Sequence, residues 1–149
     1  MTEVVWSQSS EDTVEAGIKF AALLTKGSST ALTGDLGAGK TEFVKGICKY
    51  FMVDDVVTSP TFTIINRYFA NRKEFEDLNI FHIDLYRIKD IKELVEIGFD
   101  ECISDADSIK LIEWADRAGR SPEFYDFIVR ITNDDNDENV RQIVIETNK

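Results

Sequence analysis

The sequence predicts an α/β fold in which the sheet is parallel at its centre and antiparallel at its edges. Helical patterns alternate with short apolar runs through the first and middle parts of the chain, and a glycine-rich turn joins one run to a helix. Two further apolar runs near the C-terminus flank a polar loop, as in a β-hairpin. The length, 149 residues, is that of one ordinary domain. We therefore expect a single domain over residues 1–149.

The first half of the chain is predicted to contain two helices joined through a strand. A serine hydroxyl can cap the first helix, Glu11 and Asp12 suit its first turn, and Gly27 ends it. The predicted elements are a helix from Ser9 or Ser10 to about Lys26, a strand over Thr30–Thr33, and a helix from near Gly39 to about Phe51.

The second half is predicted to supply the remaining strands and one short helix. Asp90 is the expected N-cap of that helix and Gly98 its stop. The predicted elements are extended segments near 56–58, 61–69 and 79–85, a helix over 91–97, a strand over 109–112 that ends on Glu113, and hairpin strands over 127–131 and 143–145 around the polar loop 133–139.

Charge and composition exclude several classes of protein. The chain has 17 Lys and Arg against 28 Asp and Glu, a net charge of −11, whereas nucleic acid and anionic lipid are held by basic surfaces. The N-terminus lacks the basic and apolar regions of a signal peptide, and no run approaches the roughly 18 apolar residues of a membrane-spanning helix. Cys48 and Cys102 lack the spacing of a disulfide framework or metal site. We expect a cytoplasmic protein.

A phosphate-binding loop is the most specific motif in the chain. Residues 34–41 match the pattern G-x-x-x-x-G-K-[ST] at every fixed position and lie between a predicted strand and a predicted helix. Glycines let backbone N–H groups surround an anion, the lysine supplies positive charge to phosphates, and the final hydroxyl can bind Mg²⁺. The residues expected to bind ATP are Gly34, Asp35, Leu36, Gly37, Ala38, Gly39, Lys40 and Thr41.

Two acids are candidates for the remaining Mg²⁺ ligand. Asp84 and Glu113 each follow an apolar strand, and open α/β sheets bind their ligands at the carboxyl ends of strands. Spacing does not choose between them. The Asn-Lys-x-Asp pattern that often accompanies guanine recognition is absent, because the nearest string is Asn71-Arg-Lys-Glu74. We therefore expect an adenine nucleotide.

Four further strings occur in a fixed order after the loop: Ser59-Pro-Thr-Phe-Thr63, His82-Ile-Asp-Leu-Tyr-Arg87, Gly98-Phe-Asp-Glu101 and Ile112-Glu-Trp114. Together with the loop, and over about residues 9–145, the chain closely resembles the TsaE (YjeE) family. These are small ATPases needed to make threonylcarbamoyladenosine in tRNA. The resemblance implies a P-loop NTPase-like domain of three layers, with ATP and Mg²⁺ as cofactors.

The resemblance also implies roles for individual residues. Thr41 and Glu113 would hold Mg²⁺, Thr61 would lie in a switch-I-like loop, and Asp84 would take a switch-II-like position near the γ-phosphate. Lys40, Asp84, Thr61 and Glu113 are thus the expected catalytic residues. Two further residues would contact the nucleotide. Thr13 would lie near the base, although a hydroxyl in the first turn of a helix is also an ordinary structural feature. Trp114 would lie beside the site, although an aromatic residue at a strand end can equally belong to the core. His82 lies in an apolar strand, and of its two alternatives, a structural imidazole and a catalytic base, we favour the structural one.

The expected activity is ATP hydrolysis that supports tRNA modification. By resemblance, the protein acts with the threonylcarbamoyl-transferase complex of TsaD-type and TsaB-type subunits, and it is expected to hydrolyse ATP poorly without those partners. The net charge of −11 predicts that the protein itself binds tRNA only weakly. A nucleotide-gated binding module and a small-molecule kinase remain alternatives. Because the whole chain is acidic, we also expect a locally basic pocket around Lys40.

Overall fold

A seven-stranded mixed sheet forms the middle layer of the protein. The computed structural model describes residues 1–60 and 64–148. Within these residues the strand order is β1-β7-β6-β2-β5-β4-β3. The elements are β1 (Thr2–Ser7), α1 (Ser10–Ala21), β2 (Ser29–Thr33), α2 (Lys40–Tyr50), β3 (Ile65–Phe69), β4 (Asn79–Asp84), α3 (Lys92–Glu96), α4 (Phe99–Ser104), β5 (Ser108–Glu113), β6 (Phe127–Asn133) and β7 (Arg141–Thr147).

The centre of the sheet is parallel and its edges are antiparallel, which confirms the predicted architecture. Strand β2 pairs in parallel with both β5 and β6, and β4 pairs in parallel with β5. The edge pairs β3–β4, β6–β7 and β1–β7 are antiparallel. The carboxyl ends of β2, β4 and β5 therefore meet at one edge, where a ligand is expected in such sheets.

Helices cover both faces of the sheet, giving three layers. On one face, α1 and α2 pack through Phe20 and Phe43, whose ring centroids are 5.4 Å apart, onto apolar side chains of β2, β4, β5 and β6. On the other face, Leu94 of α3 and Phe99 of α4 pack against Ile83 and Ile112. Alternate residues of each central strand thus point to opposite helical layers and are buried on both sides.

The predicted helix boundaries extend too far. Helix α1 ends at Ala21, not at about Lys26, because the chain folds into turns in which Thr25 N–H donates to Ser28 Oγ at 3.0 Å. Gly27 N–H then donates to the Ser108 carbonyl at 2.9 Å, so this segment leads the chain to the sheet. Helix α3 begins at Lys92 with Ile91 as its N-cap, although the Asp90 carboxylate accepts from Lys92 N–H at 3.0 Å.

Other elements differ more from the prediction. Residues 56–58 form no strand, and the strand expected over 61–69 is described only from Ile65, since 61–63 lie outside the described residues. Strand β1 and helix α4 were not predicted. Strand β1 pairs along one edge only, and Val4 and Trp6 remain about half exposed, so its sequence carries no pattern of full burial.

The described part of the chain contains no helix long and apolar enough to cross a membrane.

Candidate functional site

The glycine-rich loop follows β2 and turns directly into α2. Gly34, Gly37 and Gly39 have φ angles of +143°, +78° and +108°, which L side chains rarely adopt. A Cβ atom at Gly34 would also lie 2.3 Å from the carbonyl oxygen of Ile131. Gly39 is the N-cap of α2 and carries no side chain that could cap its first turn. The first N–H groups of this helix are thus available to an anion.

Lys40 is buried in the wall of this loop. Its Nζ donates to the carbonyl oxygens of Gly34 and, at 3.0 Å, of Asp35. Burial lowers the pKa of the Lys40 ammonium, and the negative charges of Glu113, Asp84 and Asp35 oppose that shift without cancelling it. The Lys40 charge is thus held close to the carboxylates at the ends of β4 and β5.

The loop and the strand ends line one cleft of about 340 Å³. Asp84 and Glu113 are register neighbours on β4 and β5, so both acids that the sequence offered lie at the same edge of the sheet. The residues lining the cleft are Leu36, Gly37, Gly39, Lys40, Thr41, Glu42, Ser59, Asp84, Glu113 and Trp114. The structure therefore brings together four of the predicted catalytic and metal-binding residues, Lys40, Thr41, Asp84 and Glu113, whereas Thr61 lies outside the described residues.

The oxygen groups of this cleft fit a magnesium ion. Thr41 contributes a hydroxyl, and Asp84 and Glu113 contribute carboxylates, which are the hard ligands that Mg²⁺ prefers. Asp84 is already oriented, since its Oδ1 accepts from Tyr86 N–H at 2.9 Å and its Oδ2 from Ser59 Oγ at 3.4 Å. The ligand roles of Thr41 and Glu113 stay predictions.

His82 contacts the expected metal-binding acid, Glu113, a contact that the sequence did not reveal. Its Nε2 lies 2.6 Å from Oε2 of Glu113, and both side chains are almost completely buried. One feature of the sequence could have pointed to this contact: His82 and Asp84 are two residues apart on a strand and therefore share a face of the sheet. The register between β4 and β5 places Glu113 on the same face.

Trp114 lies between the cleft and the core, and its contact with a nucleotide stays a prediction. The side chain lines the cleft, with Lys40 Nζ 4.9 Å from its ring centroid, and it also packs against the apolar layer that α3 and α4 form with the sheet. The guanidinium carbon of Arg117 lies 5.1 Å from the centroid of the same ring and 5.2 Å from that of Tyr86. Trp114 has a φ of +57°, a strained value for a large residue. This left-handed backbone conformation turns the chain sharply after Glu113.

Thr13 is buried at the start of α1, beside the loop. Its Oγ1 lies 2.7 Å from Ser7 Oγ and 3.3 Å from the Ser9 carbonyl, so the hydroxyl holds the helix start, as in the ordinary alternative. It also lines a smaller cleft of about 150 Å³ that continues from the loop. There, Arg141 of β7 donates through Nε to the Ala38 carbonyl at 3.0 Å, an anchor for the loop that the sequence did not reveal.

The expectation of a locally basic pocket is wrong. Among the described residues that line the main cleft, one lysine stands against the three carboxylates of Glu42, Asp84 and Glu113. Glu42 Oε1 is paired with Lys45 Nζ at 3.1 Å, and both side chains are partly exposed. A polyphosphate in this cleft would be held by Lys40 and backbone N–H groups, with a divalent cation needed to offset the acids.

The chain is similar to proteins of one family. The family model described as "Threonylcarbamoyl adenosine biosynthesis protein TsaE" matches residues 7–143. The tRNA threonylcarbamoyladenosine biosynthesis protein TsaE of Treponema pallidum is 36% identical over 119 residues, which cover 79% of this chain and 83% of that protein. The protein of the same name from Nostoc sp. is 37% identical over 118 residues, with coverages of 77% and 69%. The crystal structure of Bacillus subtilis YdiB matches with a TM-score of 0.77 and 26% identity, over 100% of this chain and 87% of that one.

Proposed function

Because the chain belongs to the TsaE family, whose description names threonylcarbamoyl adenosine biosynthesis, we propose that it is a Mg²⁺-dependent ATPase serving this tRNA modification. One observation carries the proposal. The glycine-rich loop, the Lys40 ammonium, the Thr41 hydroxyl and the carboxylates of Asp84 and Glu113 all line a single cleft. These are the groups that phosphoryl transfer to water requires, since such catalysis rests on positioning and on stabilising charge.

Each group has a distinct task in the proposed reaction. The loop N–H groups and Lys40 bind the β- and γ-phosphate oxygens and stabilise the charge that develops on them. Thr41 and Glu113 hold Mg²⁺, which when bound neutralises phosphate charge. Asp84, which is held by Tyr86 N–H, orients the attacking water or senses the γ-phosphate. The same role is proposed for Thr61.

We further propose that the protein acts on other proteins and leaves tRNA binding to them. A net charge of −11 opposes binding to a phosphate backbone but not to a protein partner. The proposed partners are the TsaD-type and TsaB-type subunits of the threonylcarbamoyl-transferase complex, and contact with them would raise a weak intrinsic ATPase rate. The cytoplasmic location stays a prediction.

The test compares Lys40→Ala and Glu113→Ala with the unaltered chain. We expect Lys40→Ala to weaken binding of ATP by about 10-fold or more, since hydrogen bonds to charged groups contribute about 1.5–3 kcal/mol. Both variants should lose ATP hydrolysis, measured as released phosphate with and without the transferase complex, and should lose formation of the modified adenosine. Lys49→Ala, an exposed position on the same helix, is the matched control and should change none of these.

Two outcomes would contradict the proposal. If both variants lose hydrolysis while modification of tRNA continues, turnover is incidental and the protein is a nucleotide-gated binding module. If a phosphorylated small molecule forms in place of free phosphate, the protein is a kinase.

A further inference from the structure

We propose that His82 is a positioning residue that orients the carboxylate of Glu113 toward a bound divalent cation. The inference rests on the proposed function in one respect, that Glu113 serves as a metal ligand. It adds a residue that touches neither nucleotide nor metal and acts only through Glu113. The observation that carries it is the contact between His82 Nε2 and Glu113 Oε2 at 2.6 Å, inside the protein and directly behind the cleft.

The sheet register places the two side chains together. His82 pairs with Leu111 and Asp84 pairs with Glu113 across the parallel strands β4 and β5. His82 and Glu113 are therefore diagonal neighbours on one face, a spacing that long side chains can bridge. Both residues lie within regular strands, which fixes their backbone positions. The contact is thus built into the rigid centre of the fold.

The donor in this contact is the histidine. The form of a carboxylate that binds a cation is the ionised one, which only accepts hydrogen bonds, so in that form Nε2 carries the proton that faces Glu113 Oε2. No other hydrogen bond of the Glu113 carboxylate occurs among the described residues, so His82 alone fixes its rotation there. With Oε2 engaged, Oε1 is the oxygen left for a cation in the cleft that Glu113 lines.

A purely structural role explains His82 poorly. In the part of the chain that the structure describes, its second nitrogen, Nδ1, is buried without a hydrogen-bond partner. A buried nitrogen without a partner lowers the free energy of unfolding, and an apolar side chain of similar size would avoid that loss. The surroundings are apolar, with Ile80 and Leu111 on the same face and the Tyr68 ring 6.3 Å away. What the histidine provides, and an apolar residue would not, is the hydrogen bond to Glu113.

The hydrogen bonds of Asp84 and Glu113 also turn these two neighbouring carboxylates away from each other. Asp84 and Glu113 are directly paired in register, and like charges at paired positions repel. Asp84 is turned toward Tyr86 N–H and Ser59 Oγ, whereas Glu113 is turned toward His82. Each carboxylate thus has its own donor, which leaves Glu113 in one orientation before any cation arrives.

The test measures how much Mg²⁺ strengthens binding of a non-hydrolysable ATP analogue. Titration calorimetry gives the affinity of the analogue in about 10 mM Mg²⁺ and again with a chelator in place of Mg²⁺, and the ratio of the two is the Mg²⁺ enhancement. His82→Leu removes the donor, while His82→Gln keeps an N–H the same number of bonds from Cα. We expect His82→Leu to reduce the Mg²⁺ enhancement by about 10–100-fold, the usual effect of losing a hydrogen bond to a metal ligand. Affinity without Mg²⁺ should stay within about twofold, and His82→Gln should recover most of the enhancement.

A general structural defect would lower affinity equally with and without Mg²⁺, and that result would overturn the inference. An unchanged enhancement in His82→Leu would also overturn it. If His82→Leu does not fold, His82→Asn, whose amide N–H falls short of Glu113, takes its place in the same comparison. Lys40→Ala separates this result from the proposed function: if it leaves analogue binding intact, the proposed function fails, whereas if only the His82 result fails, the ATPase proposal stands.

Discussion

At the scale of single residues, burial controls the chemistry of several ionisable side chains. Burial raises the pKa of the Cys48 thiol and of the Tyr125 hydroxyl, each to about 12. Cys48 lies on the buried face of α2, within the hydrophobic core, and Tyr125 Oη donates to the Ala115 carbonyl at 3.4 Å. Both groups are therefore protonated in the folded chain at pH values where they would ionise in the unfolded chain.

These two shifts predict that the protein loses stability in alkaline solution. A raised folded-state pKa gives stability that is fully present below the unfolded-state pKa and is lost as pH rises toward the folded-state value. For Tyr125 the window runs from about pH 10 to about pH 12. Tyr125→Phe should therefore flatten the decline in the free energy of unfolding over this window, measured by urea unfolding at a series of pH values. An equally steep decline in both chains would contradict the prediction.

His82 shows what residue-level sequence reasoning missed. A single histidine in an apolar strand gave no reason to expect a ligand, and the structural interpretation followed. The contact with Glu113 depends on which strands are neighbours and in what register, a pairing between residues 31 positions apart. No local pattern contains that information.

At the scale of elements, the two helices beside the loop approach each other at glycines. A Cβ atom at Gly46 of α2 would lie 2.0 Å from the Val14 carbonyl oxygen, and one at Gly17 of α1 would lie 2.1 Å from that of Phe43. These contacts are with backbone atoms, which do not move aside as a flexible side chain would. Glycine is thus required at both positions for the two helices to pack this closely. Because α2 carries Lys40 and Thr41 at its N-terminus, the same packing also sets the position of these two residues.

This close approach predicts that Gly46→Ala destabilises the protein. In an isolated helix alanine is favoured over glycine by about 1 kcal/mol, so the sign of the effect is diagnostic. We expect a loss of about 2 kcal/mol or more, because the added methyl group forces the helices apart. Urea unfolding measures the difference, with Lys49→Ala on the exposed face as the control, expected within about 0.5 kcal/mol of the unaltered chain. A stabilised Gly46→Ala variant would show that the helices do not pack in this way.

Elements with strong local patterns were predicted best. The strand–loop–helix unit around residues 30–50 and the C-terminal hairpin both occur close to their predicted positions. Strand β1 was missed because it lies at an edge, where half-exposed residues such as Trp6 show no clear alternation. The end of α1 was missed because a local turn between Thr25 and Ser28, together with a tertiary hydrogen bond from Gly27 to Ser108, replaces a continuing helix.

At the scale of the whole molecule, charge opposes the proposed ligand. The net charge of −11 gives the protein a negative field, and the cleft itself is lined by three carboxylates and one lysine. The proposed ligand, ATP, would therefore approach against long-range repulsion and be held by short-range contacts. This separates the rate of association, which the field controls, from the affinity, which the cleft controls.

We accordingly predict that ATP associates faster as salt is added, because salt screens the repulsion. An association driven by opposite charges would instead become slower. Raising the salt from about 20 mM to about 200 mM shortens the screening length severalfold and should increase the association rate constant about two- to fivefold. Stopped-flow measurements with a fluorescent ATP analogue at constant Mg²⁺ test this. A fluorescent adenosine analogue without phosphates is the control and should show little dependence on salt. A rate that falls with salt would mean that a local positive region guides the nucleotide.

The sequence by itself determined the phosphate loop, the α/β class and the family, because each depends on residues that are contiguous or on strings in a fixed order. It left open how the two strand-end acids relate and did not reveal the contacts of His82, Arg117 or Arg141. Only the tertiary structure decided these points: the parallel pairing of β4 with β5 sets Asp84 beside Glu113 and His82 behind it. The physical reason is that a loop motif is specified by local backbone geometry, whereas the rest of the site comes from distant segments joined by sheet register and core packing.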